Sequence, residues 1–180
     1  MTTFTYFAYG SNMLNERLQD PERCPSAKRI GTAVARGYSL GFCKKSKDGS
    51  GKAALLNGDT PEAEVDGVLF EIDEDERPKL GKAEGEGDGY DRDDDFKVIR
   101  NGQETTATTY LMSPGHRDDS LKPYDWYHAL VVAGALQHVL PESYIEKLRK
   151  VDTKPDSSKE RYDKALCVLK RAGFEYLLEE

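Results

Sequence analysis

Cysteine is scarce in this chain and carries no pairing pattern. Cys24, Cys43 and Cys167 are the three in 180 residues, with no CxxC among them. Neither a disulfide framework nor a zinc site is indicated, and a reducing, cytoplasmic compartment is the expectation. A basic excess is also missing: 33 acidic against 26 basic residues leave a net charge of −7, which speaks against a general nucleic-acid surface. No window approaches the ~18 consecutive apolar residues of a membrane span. The N-terminus lacks the basic stretch and apolar run of a secretory leader. His128 and His138 fall too far apart on one predicted helix to chelate a metal together. These absences leave a soluble protein, long enough to bury its own core, that works on a small molecule without nucleic acid, membrane, metal or cofactor.

What is present runs from strands to helices. Thr5–Tyr9 reads as a buried first strand, and Leu14–Leu18 as a short helical turn closed by Asp20-Pro21. Residues 29–44 read as one strand bent at glycines 31, 37 and 41, because Val34, Tyr38, Leu40 and Phe42 share a parity. Lys52–Leu56 and Val65–Ile72 are further strands. Asp73 is the expected cap of a helical stretch that Pro78 and Gly81 divide into short pieces. Phe96–Ile99 and Thr105–Met112 form a hairpin about Asn101-Gly102. Beyond Gly115 the pattern turns helical: Tyr124–Val139, Glu142–Lys150, and a last helix capped by Asp156 or Ser157 and running to about Arg171. Strands followed by helices predict an α+β fold in one domain, 1–180, with a core of about 4–150 and a helical extension over 151–180.

Two stretches offer chemistry. Tyr9-Gly10-Ser11-Asn12 ends the first strand. Gly10 permits unusual backbone angles and close ligand approach, Ser11 and Asn12 favour caps, and the following helix N-terminus presents free N–H groups. It is either an anion- or oxyanion-binding loop or an ordinary strand–turn–helix junction. The second stretch is Glu84–Asp95. Its carboxylates do not follow the ligand order of a calcium loop, and its glycines lack the GxGxxG spacing of a nucleotide cradle. Glu84 remains: a carboxyl at an element boundary, either solvated or, if desolvated in a pocket, able to act as general base and acid.

Three segments in register, YFAYGSNM at 6–13, EGEGDGYDR at 84–92 and YHALVVAGALQHVLPESYIEKL at 127–148, resemble the γ-glutamylcyclotransferase family, and the likeness extends over most of the chain. The resemblance implies a small, mixed β-barrel-like sheet surrounded by helices. It implies that backbone amides around Tyr9, Gly10, Ser11 and Asn12 hold a γ-glutamyl group, that Glu84 is the acid/base, and that Tyr90 and Tyr127 supply pocket hydroxyls. The implied reaction cyclises a γ-glutamyl amino acid or amine to 5-oxoproline and expels the attached amine. A glutathione-specific group in this family typically carries YGSL, whereas this chain has YGSN. Departures from the pattern are the acidic Gly85-Glu86-Gly87-Asp88, which makes Glu86 a rival to Glu84, and the extension from Ser157 onward, expected to pack on the barrel or on a second subunit in a homodimer. A non-catalytic binding module with the same pocket is the competing function.

Overall fold

The computed structural model describes residues 2–178. Seven strands and five helices appear in the order β1 (Thr3–Ala8), α1 (Asn15–Leu18), β2 (Lys28–Arg36), β3 (Tyr38–Lys45), β4 (Gly51–Asn57), β5 (Glu64–Asp73), α2 (Arg77–Glu84), β6 (Tyr90–Arg100), β7 (Gln103–Met112), α3 (Asp125–Gln137), α4 (Glu142–Arg149) and α5 (Lys159–Ala172). Five strands close into a barrel in the order β1-β5-β2-β6-β7, and β3-β4 form a separate hairpin beside it. The pairs are antiparallel except for the closing one, where β1 and β7 run parallel at Tyr6 and Thr108. This is the α+β barrel expected.

The single strand predicted over 29–44 is instead two. Gly37, at φ +78°, reverses the chain between β2 and β3, so β2 joins the barrel and β3 leaves it. The shared parity of residues 34–42 runs across the break and conceals it. The stretch after Asp73 differs too: Asp73 makes no side-chain capping bond, and α2 runs unbroken through Gly81, with Pro78 tolerated in its first turn. The 90s strand is longer than predicted, since β6 starts at Tyr90 and carries Asp93–Asp95 across a bulge. The hairpin at Asn101-Gly102 forms as read, both residues taking positive φ (49° and 77°) as a type I′ turn requires.

Helix α3 is the inner helix. Of its thirteen residues only Asp125, His128, Leu136 and Gln137 are not buried, and it packs against the turn that follows β1. Gly134 makes that approach possible. A Cβ there would lie 2.6 Å from the Met13 Cβ and 2.8 Å from the Leu14 nitrogen. Helix α5 covers α3 and α1 with buried Ala165 and Leu169, so the C-terminal extension packs on its own chain. Its N-cap is Ser158, whose hydroxyl accepts from the Arg161 amide, one residue beyond the positions expected. Asp156 acts differently: it receives the Trp126 indole N–H at 2.8 Å and the Arg161 guanidinium at 2.6 Å, tying α5 to α3.

Two histidines, His138 buried and His128 half-buried, tie the helices to their neighbours. His128 Nε2 lies 2.7 Å from the Leu148 carbonyl at the end of α4, and His138 Nε2 lies 2.8 Å from the Met13 carbonyl. A carbonyl only accepts, so each Nε2 carries the proton. Burial pushes both imidazoles below their ordinary value, with the carbonyl bonds opposing. The unfolded chain therefore takes up protons near pH ~6.5 that the folded chain refuses. Stability is full above that pH and falls as pH drops through it. Thermal midpoints measured from pH 8 to pH 5 should decline below about pH 6.5, and His138→Gln, which does not titrate, should flatten part of that slope. A midpoint unchanged across the range would contradict this.

Candidate functional site

The site lies where the turn after β1, the end of α2 and the β3–β4 hairpin converge. Residues Ser11–Met13 form one 3-10 turn, not a helix N-terminus, and neither Ser11 nor Asn12 caps it with its side chain. Gly10 lies at φ −116°, outside the left-handed region, so glycine serves there for space and not for handedness. A Cβ there would stand 3.3 Å from the Ala53 Cβ and 3.4 Å from the Tyr127 hydroxyl. The freed side chains face the site. Ser11 Oγ accepts from Arg17 Nε at 2.9 Å, and Asn12 Oδ1 accepts from Arg23 at 3.2 Å. The first amides of a helical turn have no partner within it, and those of Ser11 and Asn12 find no acceptor among the described residues.

Glu84 is the last residue of α2. Gly85 follows in the left-handed region at φ +77°, and the Gly85 and Glu86 amides turn back onto the Lys82 and Gly81 carbonyls. This Schellman closure stops the helix and aims Glu84 across at β1. Its Oε1 receives the Tyr6 hydroxyl and, at 2.7 Å, the Asn12 amide. Among the described residues nothing bonds Oε2, and no cation forms an ion pair with Glu84. Glu86 points elsewhere, to Arg92 at 3.5 Å, and lines neither cavity described below.

An inner cavity of 30 Å³ lies behind Glu84, and all seven residues expected at the site line it, together with Tyr6, Ala53 and Tyr110. Three of the tyrosines brace the wall. Tyr90 donates to the Ala53 carbonyl at 2.5 Å, Tyr127 accepts from the Ala53 amide at 3.2 Å, and Tyr9 donates to the Tyr110 carbonyl at 2.5 Å. Tyr90 and Tyr127 thus grip one residue of β4 from both sides. Burial, and after it the nearby Glu84 charge in Tyr6 and Tyr9, raises these phenols above their ordinary value, so they remain neutral donors. The Tyr110 hydroxyl is buried and has no partner among the described residues.

Sequence reasoning missed Tyr6 and Tyr110. The available signal was the tyrosine in the strand immediately before the loop, since alternate residues of β1 share a face. Only the barrel closure puts Tyr6 beside a residue 78 positions later. Removing that contact in Tyr6→Phe should cut turnover about 10-fold to 100-fold, as for loss of a hydrogen bond to a charged group, with the fold intact by circular dichroism.

Outside Glu84 the site opens into a cavity of 510 Å³, within the size of small-molecule pockets. Its walls are basic. Arg17 and Arg23 stand on one side, Lys44, Lys45, Lys47 and Lys52 on the hairpin side, and Lys82 on α2; the acidic residues are Glu84 and Asp88. Lys52 pairs with Asp48 at 2.8 Å and lies over the Tyr127 ring. Burial would raise the Asp48 carboxyl, but bonds from Lys52 and Ser50 outweigh it and hold it near 2. Burial and then the like charge of Arg23 bring Arg17 down to about 9. Lys44, buried against Tyr90, is also lowered, by burial first.

A closed barrel with a tyrosine-walled pocket and one carboxylate at its floor has the form of a small-molecule site. Comparison with known proteins agrees. Residues 64–148 match the AIG2-like family. The chain is 34% identical over 155 residues to the mouse protein named γ-glutamylcyclotransferase, across 83% of this chain and 79% of that one. It is 32% identical over the same span to the human protein of that name. A solved structure titled γ-glutamyl cyclotransferase superposes with a TM-score of 0.79 at 29% identity, covering 91% of this chain and 98% of that one. The structure of YkqA from Bacillus subtilis follows at 0.70 and 25% identity, covering 86% of this chain and 57% of that one. The chain belongs to the γ-glutamylcyclotransferase family. Among its described residues, no helix is long and apolar enough to cross a membrane.

Proposed function

We propose that the protein cyclises a γ-glutamyl amino acid or amine to 5-oxoproline, with Glu84 as the single general acid/base. The observation that carries this is the Glu84 carboxylate: one oxygen fixed by Tyr6 and Asn12, the other free, at the floor where the two cavities meet. Such a carboxylate is oriented and still has an oxygen to give to a proton in transit.

The substrate's α-ammonium loses a proton to Glu84. Its nitrogen forms a bond to the γ-carbonyl carbon, and the carbonyl oxygen takes the negative charge. The unpartnered Ser11 and Asn12 amides are the donors for that oxyanion. The bond to the leaving nitrogen then breaks as Glu84 returns that proton to it, and the second proton of the attacking nitrogen follows through the same carboxylate, so the lactam keeps one N–H and the amine departs as an ammonium. Atoms and charges balance with no oxidant or co-reactant. Nucleophile and electrophile are already tethered in the substrate, so holding the folded conformer is most of the task. The five neutral tyrosines supply a wall that shapes that conformer.

The test is 5-oxoproline release from γ-glutamyl dipeptides, glutathione and γ-glutamyl-lysine, with and without EDTA. Turnover of at least one, unaffected by EDTA, is expected. Binding without turnover of any of them would favour the binding module.

A further inference from the structure

The basic wall contrasts with the rest of the molecule. The chain carries a net charge of −7, yet seven of its 26 basic residues line one cavity that holds two acidic ones. Asp88 is already neutralised by Lys47 at 2.6 Å, and Lys52 by Asp48. Arg17, Arg23, Lys44, Lys45 and Lys82 have no ion-pair partner among the described residues. Arg17 and Arg23 are committed to Ser11 and Asn12, and Lys44 to the Asp88 carbonyl at 3.2 Å. Lys45 at the end of β3 and Lys82 in the last turn of α2 are exposed and make no side-chain bond among the described residues, and they face the same cavity from opposite elements. Like charges gathered this way repel, and an anion that enters between them relieves the repulsion.

The inner cavity, at 30 Å³, is small beside the outer one of 510 Å³, so the part of the substrate that departs must occupy the outer one. We infer that this enzyme selects γ-glutamyl compounds whose leaving residue is itself acidic, with Lys45 and Lys82 receiving its carboxylates. The inference rests on the cyclotransferase reading above and specifies its substrate class. One carboxylate of the leaving amino acid answers part of the wall, and a second, on its side chain, answers the rest. A γ-glutamyl alkylamine answers none of it.

Three substrates decide the matter: γ-Glu-Glu, its neutral isostere γ-Glu-Gln, and γ-glutamyl-butylamine, each followed by 5-oxoproline release. The wild type should favour γ-Glu-Glu over γ-Glu-Gln in kcat/KM by about tenfold at low salt, the ratio shrinking as ionic strength screens the charges. In Lys45→Gln/Lys82→Gln, two exposed substitutions, the ratio should fall to about twofold or less, through a raised KM for γ-Glu-Glu. Equal kcat/KM for the two dipeptides, or a ratio that survives the double substitution, would overturn the inference while leaving the cyclotransferase reading intact. No 5-oxoproline from any of the three would overturn that reading and this one together.

Discussion

Glu84→Gln should lose about 10²–10⁴-fold in kcat, the scale on which a positioned acid/base contributes. The substitution keeps the shape of the side chain. An amide oxygen at the Oε1 position still accepts from Tyr6 and Asn12, so the turn after β1 stays where it is. The Schellman closure of α2 depends on Gly85 and backbone bonds, not on the carboxylate. Stability and substrate affinity should therefore change little, and the loss should fall in kcat. Glu86→Gln is the matched comparison, since Glu86 faces Arg92 and lines neither cavity; its activity should stay within about twofold of wild type. Equal losses in the two variants would remove the distinction between them.

Gly134→Ala should be the most damaging substitution that touches no substrate. By helix propensity alone, alanine in α3 is favoured by up to about 1 kcal/mol. Here the added Cβ would meet the Met13 Cβ at 2.6 Å, the Leu14 nitrogen at 2.8 Å and the Met13 carbonyl carbon at 3.0 Å. Two of those atoms are backbone and cannot rotate away, so the turn must lift off α3 as a unit. Overpacking of this kind costs about 1–3 kcal/mol, which outweighs the propensity gain. The same movement strains the His138 bond to the Met13 carbonyl and carries Asn12 away from Glu84. A lower thermal midpoint accompanied by at least about tenfold loss of kcat is expected, since small misplacements of a catalytic group are expensive. Unchanged stability and activity would show that the turn is not seated as described.

Much of this arrangement was readable because local chemistry and global fold agree. Asn101-Gly102 marked its hairpin because both residues needed positive φ. The helix pattern of 124–139 held because α3 is buried on nearly every side. The strand break at Gly37 was hidden by a side-chain parity that continued through it. Asn12 and Ser11 looked like caps because their residue types favour caps, but the packing of α3 forces a single 3-10 turn and turns their side chains toward the pocket. Tyr6 became visible only through barrel closure. The basic wall is drawn from α1, the segment after it, the β3–β4 hairpin and α2, so the run Lys44-Lys45-Ser46-Lys47 showed only part of it, and the net negative charge of the chain concealed the rest.

In the proposed reaction the substrate's own amine, with Glu84 moving the proton, displaces the leaving group. It is tested most directly by incubating the protein with a γ-glutamyl dipeptide in ¹⁸O-labelled water and weighing the glutamyl product by mass spectrometry. The expected product is 5-oxoproline free of solvent oxygen, formed with an equal amount of the leaving amino acid, and almost none with Glu84→Gln. Free glutamate carrying ¹⁸O would identify water as the nucleophile and contradict it.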